Sequence, residues 1–289
     1  MPQYRFHGFW PSAETDEGLF QLFAELLGPV AAGYRIVYVV SVFSPPPRAR
    51  RKDALYVQFS GESHFHDPSL FDINLIPSMP GPNIVPLPYM ALEYWRRNQL
   101  HQLCLGRKIS EEAFNAKKPC LFVVSNPNCR ERMDFFHRLS ERMPVDSWGG
   151  VLNNQSGRRP TGQWWEQSYM DLIAQYRFMI CFENTRKDFY MTEKLLNGYV
   201  GGAIPIYWGC PQVSEMINPD AFLAIRDDYS ENSASILAET VSTLNSDYEI
   251  YSKTYSQTLF SNCREDPRFN LSAVSNELIK YKPSRTAER

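Results

Sequence analysis

Five short runs of β-branched and aromatic residues constrain this chain more than anything else in it: 34–43 (YRIVYVVSVF), 54–60 (ALYVQFS), 119–128 (PCLFVVSNPN), 178–184 (FMICFEN) and 203–209 (AIPIYWG). Runs of this length that stay largely apolar fit strands covered on both faces, as in a parallel sheet. Segments with helical apolar spacing lie between and after them: 15–28, with Thr15 as N-cap and Gly28 as stop, then 90–105, 130–143, 191–202 and 233–260. The alternation predicts an α/β fold. The proline-dense stretch 77–88 reads as an extended connection without regular structure. A fresh α/β pattern starts at Pro119, which predicts two domains, 1–117 and 118–289, facing a cleft, with the last helix packing back on the first domain.

The chain has 289 residues, 43% hydrophobic and 21% charged, with a net charge of −2, so it can bury a sizeable core. Without a concentrated basic run, nucleic acid is excluded as the main partner. Its six cysteines show no C-x-x-C pair and read as reduced core thiols. No secretory pattern opens the chain and no apolar run reaches about 18 residues, so we expect a cytoplasmic protein, with contact to the inner membrane surface left open.

The chemistry concentrates in CFENTRKDFYMTEK, residues 181–194. Glu183 and Asn184 follow an apolar strand, and Thr192 stands where it can cap a helix whose first turn holds Glu193 and Lys194. A lysine so early in a helix opposes the macrodipole by ~0.3–1 kcal/mol, which a local anion would offset. A solvated charged turn is the competing reading. Against it stands the sequel, GGAIPIYWGCP, an apolar strand bracketed by glycine and proline.

In order, Phe182-Glu183-Asn184, Tyr190, Thr192-Glu193-Lys194, residues 204–209, Pro211, Val213, Asn218-Pro219 and Phe222 resemble the donor-site motif of the α-1,3/4-fucosyltransferases, glycosyltransferase family 10, bacterial type. Upstream, FVVSNPNCRERMDFFHRL (122–139) and YVQFSGESHFHDPSLFDINL (56–75) are similar to the family's strand-turn-helix and acceptor-side segments. The resemblance covers residues 54–225; HGFW (7–10) is loosely like the family's opening aromatic loop. Phe189 and Met191 depart from the glycine and valine frequent in bacterial relatives, and the C-terminal residues lack the heptad repeats and basic tail of some members, which leaves a repeat-driven dimer unsupported.

The resemblance implies a GT-B fold, two Rossmann-like domains, and inverting transfer of L-fucose from GDP-fucose to the 3-OH of GlcNAc in a glycan acceptor carrying GlcNAc and galactose. By motif position Glu62 is the general base, Arg132 (with Arg130 as a nearby alternative) and Lys194 hold the diphosphate, and Asn184, Tyr190 and Glu193 contact the nucleotide sugar. His7, Trp10, His64 and His66 are acceptor-side candidates. No D-x-D carboxylate pair is present, so no metal and no cofactor is expected; His64 and His66 beside Glu62 and Asp67 form a less favoured metal alternative. Competing functions are 4-OH transfer to type 1 chains, a GT-B transferase using another nucleotide sugar, and a non-catalytic glycan-binding protein.

Overall fold

The computed structural model describes residues 2–9, 17–97, 103–261 and 264–281; the expectations on Thr15 and Trp10 lie outside them. The chain divides into two compact units. Unit one is Met1–Gln99, Lys187–Tyr190 and Glu265–Arg289, and unit two is Leu100–Arg186 and Met191–Arg264.

Unit one holds a parallel sheet of β1 (Gln3–His7), β2 (Ile36–Ser41), β3 (Ala54–Phe59), β4 (Ile73–Ile76) and β5 (Ile84–Pro86), in that spatial order. The central strand β3 is buried at every position, which explains its unbroken apolar reading. β5 lies inside the stretch expected to be irregular; as an edge strand of three residues it tolerates Pro86, which has no N–H to give a ladder.

α1 (Glu17–Ala31) does not stop at Gly28 but runs through Pro29, because Val30 and Ala31 continue its buried stripe. Pro29 cannot donate to the carbonyl of Glu25, and the hydroxyl of Ser275 donates to that oxygen instead, at 3.3 Å. Ser275 belongs to a late helix, Leu271–Leu278, which packs on α1. That return segment is tied to α2 (Tyr89–Arg97) as well: Trp95 Nε1 donates to the Phe269 carbonyl at 2.6 Å, and the Tyr94 hydroxyl to Glu265 at 2.5 Å.

Unit two holds a second parallel sheet, in spatial order β7 (Val145–Ser147), β6 (Lys118–Phe122), β8 (Tyr176–Ile180), β9 (Ile204–Tyr207), β10 (Leu223–Ala224). Its helices are α3 (Glu111–Ala116), α4 (Arg130–Ser140), α5 (Gln167–Ala174), α6 (Glu193–Val200), α7 (Val213–Met216), α8 (Glu231–Ser246) and α9 (Tyr248–Tyr255), so the late helix of unit one is α10. α3 belongs to this unit because Phe114 packs on Tyr251 of α9, ring centroids 4.9 Å apart. The core runs through stacked Phe135 and Phe182 (4.8 Å) and through Phe178 against Tyr251.

From β6 the chain passes first to β7 on one side and then returns to β8 on the other, which makes the β6–β8 boundary the point where the winding reverses. In open parallel sheets ligands gather beyond the strand carboxyl ends at that point. Away from that rim, Lys117 donates to the carbonyls of Ala174 (2.6 Å), Gly202 (2.8 Å) and Tyr176 (3.2 Å), bracing the ends of α5 and α6. Among the described residues no helix is long and apolar enough to cross a membrane. Cys120, Cys129, Cys181 and Cys210 are buried free thiols, Cys104 is a half-buried one, and Cys263 lies outside the described residues.

Candidate active site

Both segments leaving the reversal point carry the predicted donor residues. After β6, residues 123–129 turn into α4, which bears Arg132; after β8, residues 181–192 lead to α6, which bears Glu193 and Lys194. Arg132 is only 2% exposed, its guanidinium donating to the Asn126 carbonyl at 2.7 Å and reaching the Phe182 carbonyl at 3.5 Å. It therefore fastens the first turn to the end of β8. Asn184 follows β8 directly, and its side-chain oxygen is buried without a hydrogen-bond partner among the described residues.

Lys194 keeps 26% of its side chain exposed and is held from within. Its ammonium lies 3.2 Å from Glu183 Oε2, 2.8 Å from Thr192 Oγ1 and 3.3 Å from Glu193 Oε1. Glu183 is fully buried; it accepts from the Thr192 backbone N–H and from the Thr192 hydroxyl, both at 2.7 Å. Burial pushes the Glu183 carboxyl up, against the downward pull of Lys194 and of the Thr192 hydrogen bonds. Thr192 does stand at the N-cap of α6, yet its hydroxyl makes no capping bond because Glu183 and Lys194 engage it. The anion that the early lysine called for is, in the protein by itself, Glu183.

In unit one, Glu62 follows the central strand. Its loop is built by buried polar residues: Ser60 Oγ donates to the His64 carbonyl at 2.8 Å and accepts from the Glu62 N–H at 3.1 Å. Gln58, itself bonded to Asn74 at 2.6 Å, accepts from the His66 N–H at 2.6 Å. Gly61 has no room for a side chain, since a Cβ there would stand 2.7 Å from the Tyr89 ring. No hydrogen bond or ion pair engages the Glu62 carboxylate among the described residues.

His66 is taken up in bracing: Nε2 donates to the Ser44 carbonyl at 2.8 Å and the ring stacks on Phe71. His64 is exposed, edge-on to Phe43, and His7 ends β1 exposed at the same rim of the sheet. Trp10 lies outside the described residues.

The predicted donor residues do not all share one unit. Arg132, Asn184, Glu193 and Lys194 lie in unit two, whereas Tyr190 lies with Lys187–Tyr190 in unit one, 3% exposed. There Lys187 donates to the Ser63 carbonyl at 2.5 Å and sits over the Phe65 ring. Sequence reasoning gave Lys187 and Glu183 no role; the signal for Lys187 was membership of the charged cluster, and for Glu183 that cluster together with its place in the Phe182-Glu183-Asn184 motif.

The family model described as "Glycosyltransferase family 10 (fucosyltransferase) C-term" matches residues 114–264. The alpha-(1,3)-fucosyltransferase FucT of Helicobacter pylori is 38% identical over 106 residues, 37% of this chain and 21% of that protein. GDP-fucose protein O-fucosyltransferase 3 of Gallus gallus is 27% identical over 220 residues, 72% of this chain and 46% of that protein. The matched regions thus span between about a fifth and just under half of these relatives. A crystal structure of an alpha1,3-fucosyltransferase with GDP-fucose is similar at a TM-score of 0.65 and 20% identity, over 96% of this chain and 91% of that one, and the fold is accordingly GT-B. With more than half of its 289 residues inside the family match, this chain belongs to glycosyltransferase family 10, the fucosyltransferases.

Proposed function

We propose that the protein transfers L-fucose from GDP-fucose to a glycan hydroxyl with inversion at the anomeric carbon. The observation that carries this reading is the cation grip at the β6–β8 reversal, Lys194 pinned by Glu183 and Thr192 in the unit that also holds Arg132. In this reaction the acceptor oxygen attacks C1 of fucose, the bond from C1 to the β-phosphate oxygen breaks, and negative charge grows on the departing GDP. Fixed cations aimed at that charge lower the barrier. Lys194 meets the diphosphate with its exposed side and Arg132 adds charge from within the turn. Asn184, with an unpartnered buried oxygen, suits a sugar hydroxyl; Tyr190 and Glu193 contact the rest of the nucleotide sugar.

Glu62, its carboxylate unengaged, takes the proton of the attacking hydroxyl, a role worth ~10² to 10⁴ in rate. His7, Trp10 and His64 serve the acceptor. With two cations in place of a carboxylate clamp, donor binding proceeds without a metal ion. The first acceptor to test is N-acetyllactosamine, whose fucosylation on the 3-OH of GlcNAc gives a Lewis x-like product. A protein hydroxyl is the second reading, favoured by the 72% of this chain matched by the Gallus gallus relative.

The test is calorimetric titration of EDTA-treated protein with GDP-fucose, GDP-mannose and UDP-sugars, followed by GDP release with N-acetyllactosamine, a type 1 disaccharide and acceptor polypeptides. Selective GDP-fucose binding with acceptor-dependent release is the expected result. Preference for another nucleotide sugar would overturn the donor, and binding without release on any acceptor would point to a glycan-binding protein.

A further inference from the structure

Glu183 sits where no substrate reaches it, at 0% exposure, yet its surroundings are organised around its charge. Its Oε2, the Thr192 hydroxyl and the Lys194 ammonium close a triangle: Thr192 Oγ1 to Glu183 Oε2 at 2.7 Å, Lys194 Nζ to Thr192 Oγ1 at 2.8 Å, Lys194 Nζ to Glu183 Oε2 at 3.2 Å, while Oε1 accepts from the Thr192 N–H. The turn after β9 is shaped to the same residue. Gly209 adopts φ +151°, and a Cβ there would lie 2.6 Å from Glu183 Cγ and 2.7 Å from its Cβ, closer than any side chain allows. The other titratable groups facing it are Glu193 on α6, Cys181 at the end of β8, and Cys129, whose Sγ lies 3.5 Å from the Glu183 carbonyl oxygen.

A buried ion pair is a poor way to stabilise a fold, since apolar residues of equal volume do as well or better; what it fixes is position. A lysine needs that help, because its ammonium rides on four rotatable carbons. We propose that Glu183 is the positioning residue of the diphosphate grip: with Thr192 as bridge, it is the buried counter-charge that fixes where the Lys194 ammonium stands. This rests on the reading that Lys194 meets the diphosphate.

Positioning and attraction separate experimentally. A ground-state diphosphate tolerates a loosely held cation, whereas the transition state rewards one fixed where charge develops. Glu183→Gln keeps the shape, takes the buried counter-charge from Lys194 while leaving its contacts with Thr192 and Glu193, and removes a negative charge near the incoming anion. The expected result is kcat lower by at least about tenfold with GDP affinity unchanged or up to about threefold tighter, a split that Lys194→Ala does not give. Thr192→Val, which removes the bridging hydroxyl, falls with Glu183→Gln and serves in its place should that variant not fold.

A readout free of nucleotide is acetylation of Lys194 by acetic anhydride, followed by mass spectrometry. Loss of the counter-charge raises its rate about tenfold in Glu183→Gln. Folded Glu183→Gln with kcat and labelling within about twofold of wild type would overturn the proposal, as would equal losses of kcat and GDP affinity together with a lowered Tm. Raised labelling in a protein whose wild type binds no GDP would instead overturn the reading of the site and leave the link between Glu183 and Lys194 standing.

Discussion

Two kinds of charge meet in this protein, one left unengaged and one held. Glu62 projects from a loop whose polar backbone is satisfied by Ser60 and Gln58, so its carboxylate can be altered without disturbing its support. Glu62→Gln is therefore expected to lower transfer by ~10² to 10⁴ while GDP-fucose affinity, measured by calorimetry, stays within about twofold of wild type. Lys194→Ala should weaken GDP binding and turnover together. Arg132→Ala should do the same and lower Tm besides, because it also releases the carbonyls of Asn126 and Phe182. These residues are proposed from the sequence because a motif preserves order and spacing. Phe189 was legible as a departure from the resemblance, and the structure gives its meaning: it holds φ +55°, a left-handed conformation that a glycine adopts freely, and its buried ring lies under the Arg268 guanidinium.

At the level of elements, periodicity located the main strands and helices but not their ends. The carboxyl end of α1 was misread because glycine and proline signal a stop locally, while its continuation depends on a bond from Ser275, some 250 residues away. Pro29→Ala restores a helix donor for the Glu25 carbonyl and should raise stability by about 1–2 kcal/mol, seen as a higher urea midpoint with unchanged m. Lys117 supplies a pH test. Burial, reinforced by Arg107, lowers its pKa from 10.5 to about 8, against three carbonyls that favour the charged form. In the folded chain it then loses its proton near pH 8, and in the unfolded chain near 10.5. Between those values the unfolded state binds more protons, so this group makes stability rise with pH. Urea unfolding of wild type and Lys117→Met at pH 7.5 and 9.5 should show the rise in wild type alone; an equal response in both would remove the shift.

For the whole molecule, chain order and spatial membership part company at two places. Lys187–Tyr190 leaves the donor motif to join unit one, and Glu265–Arg289 returns to it after all of unit two has been laid down. Ending the chain after residue 261 removes the Trp95 and Tyr94 bonds and uncovers α1 where α10 packs, and should abolish the cooperative unfolding of unit one in calorimetry. A retained transition would mean that unit one is stable without its return segment. By itself the sequence determined the α/β class, the core strands and the family motif from which the donor and base residues are proposed, since hydrophobic period and motif spacing are local properties of the chain. Only the tertiary structure decided that the sheet reverses between β6 and β8, that Tyr190 and Lys187 belong to the other unit, and that Glu183 is a partner of Lys194. Strand order, unit membership and ion pairing join residues distant in the chain or turned across a loop, and they are settled by which burial and hydrogen-bond arrangements can all be met at once.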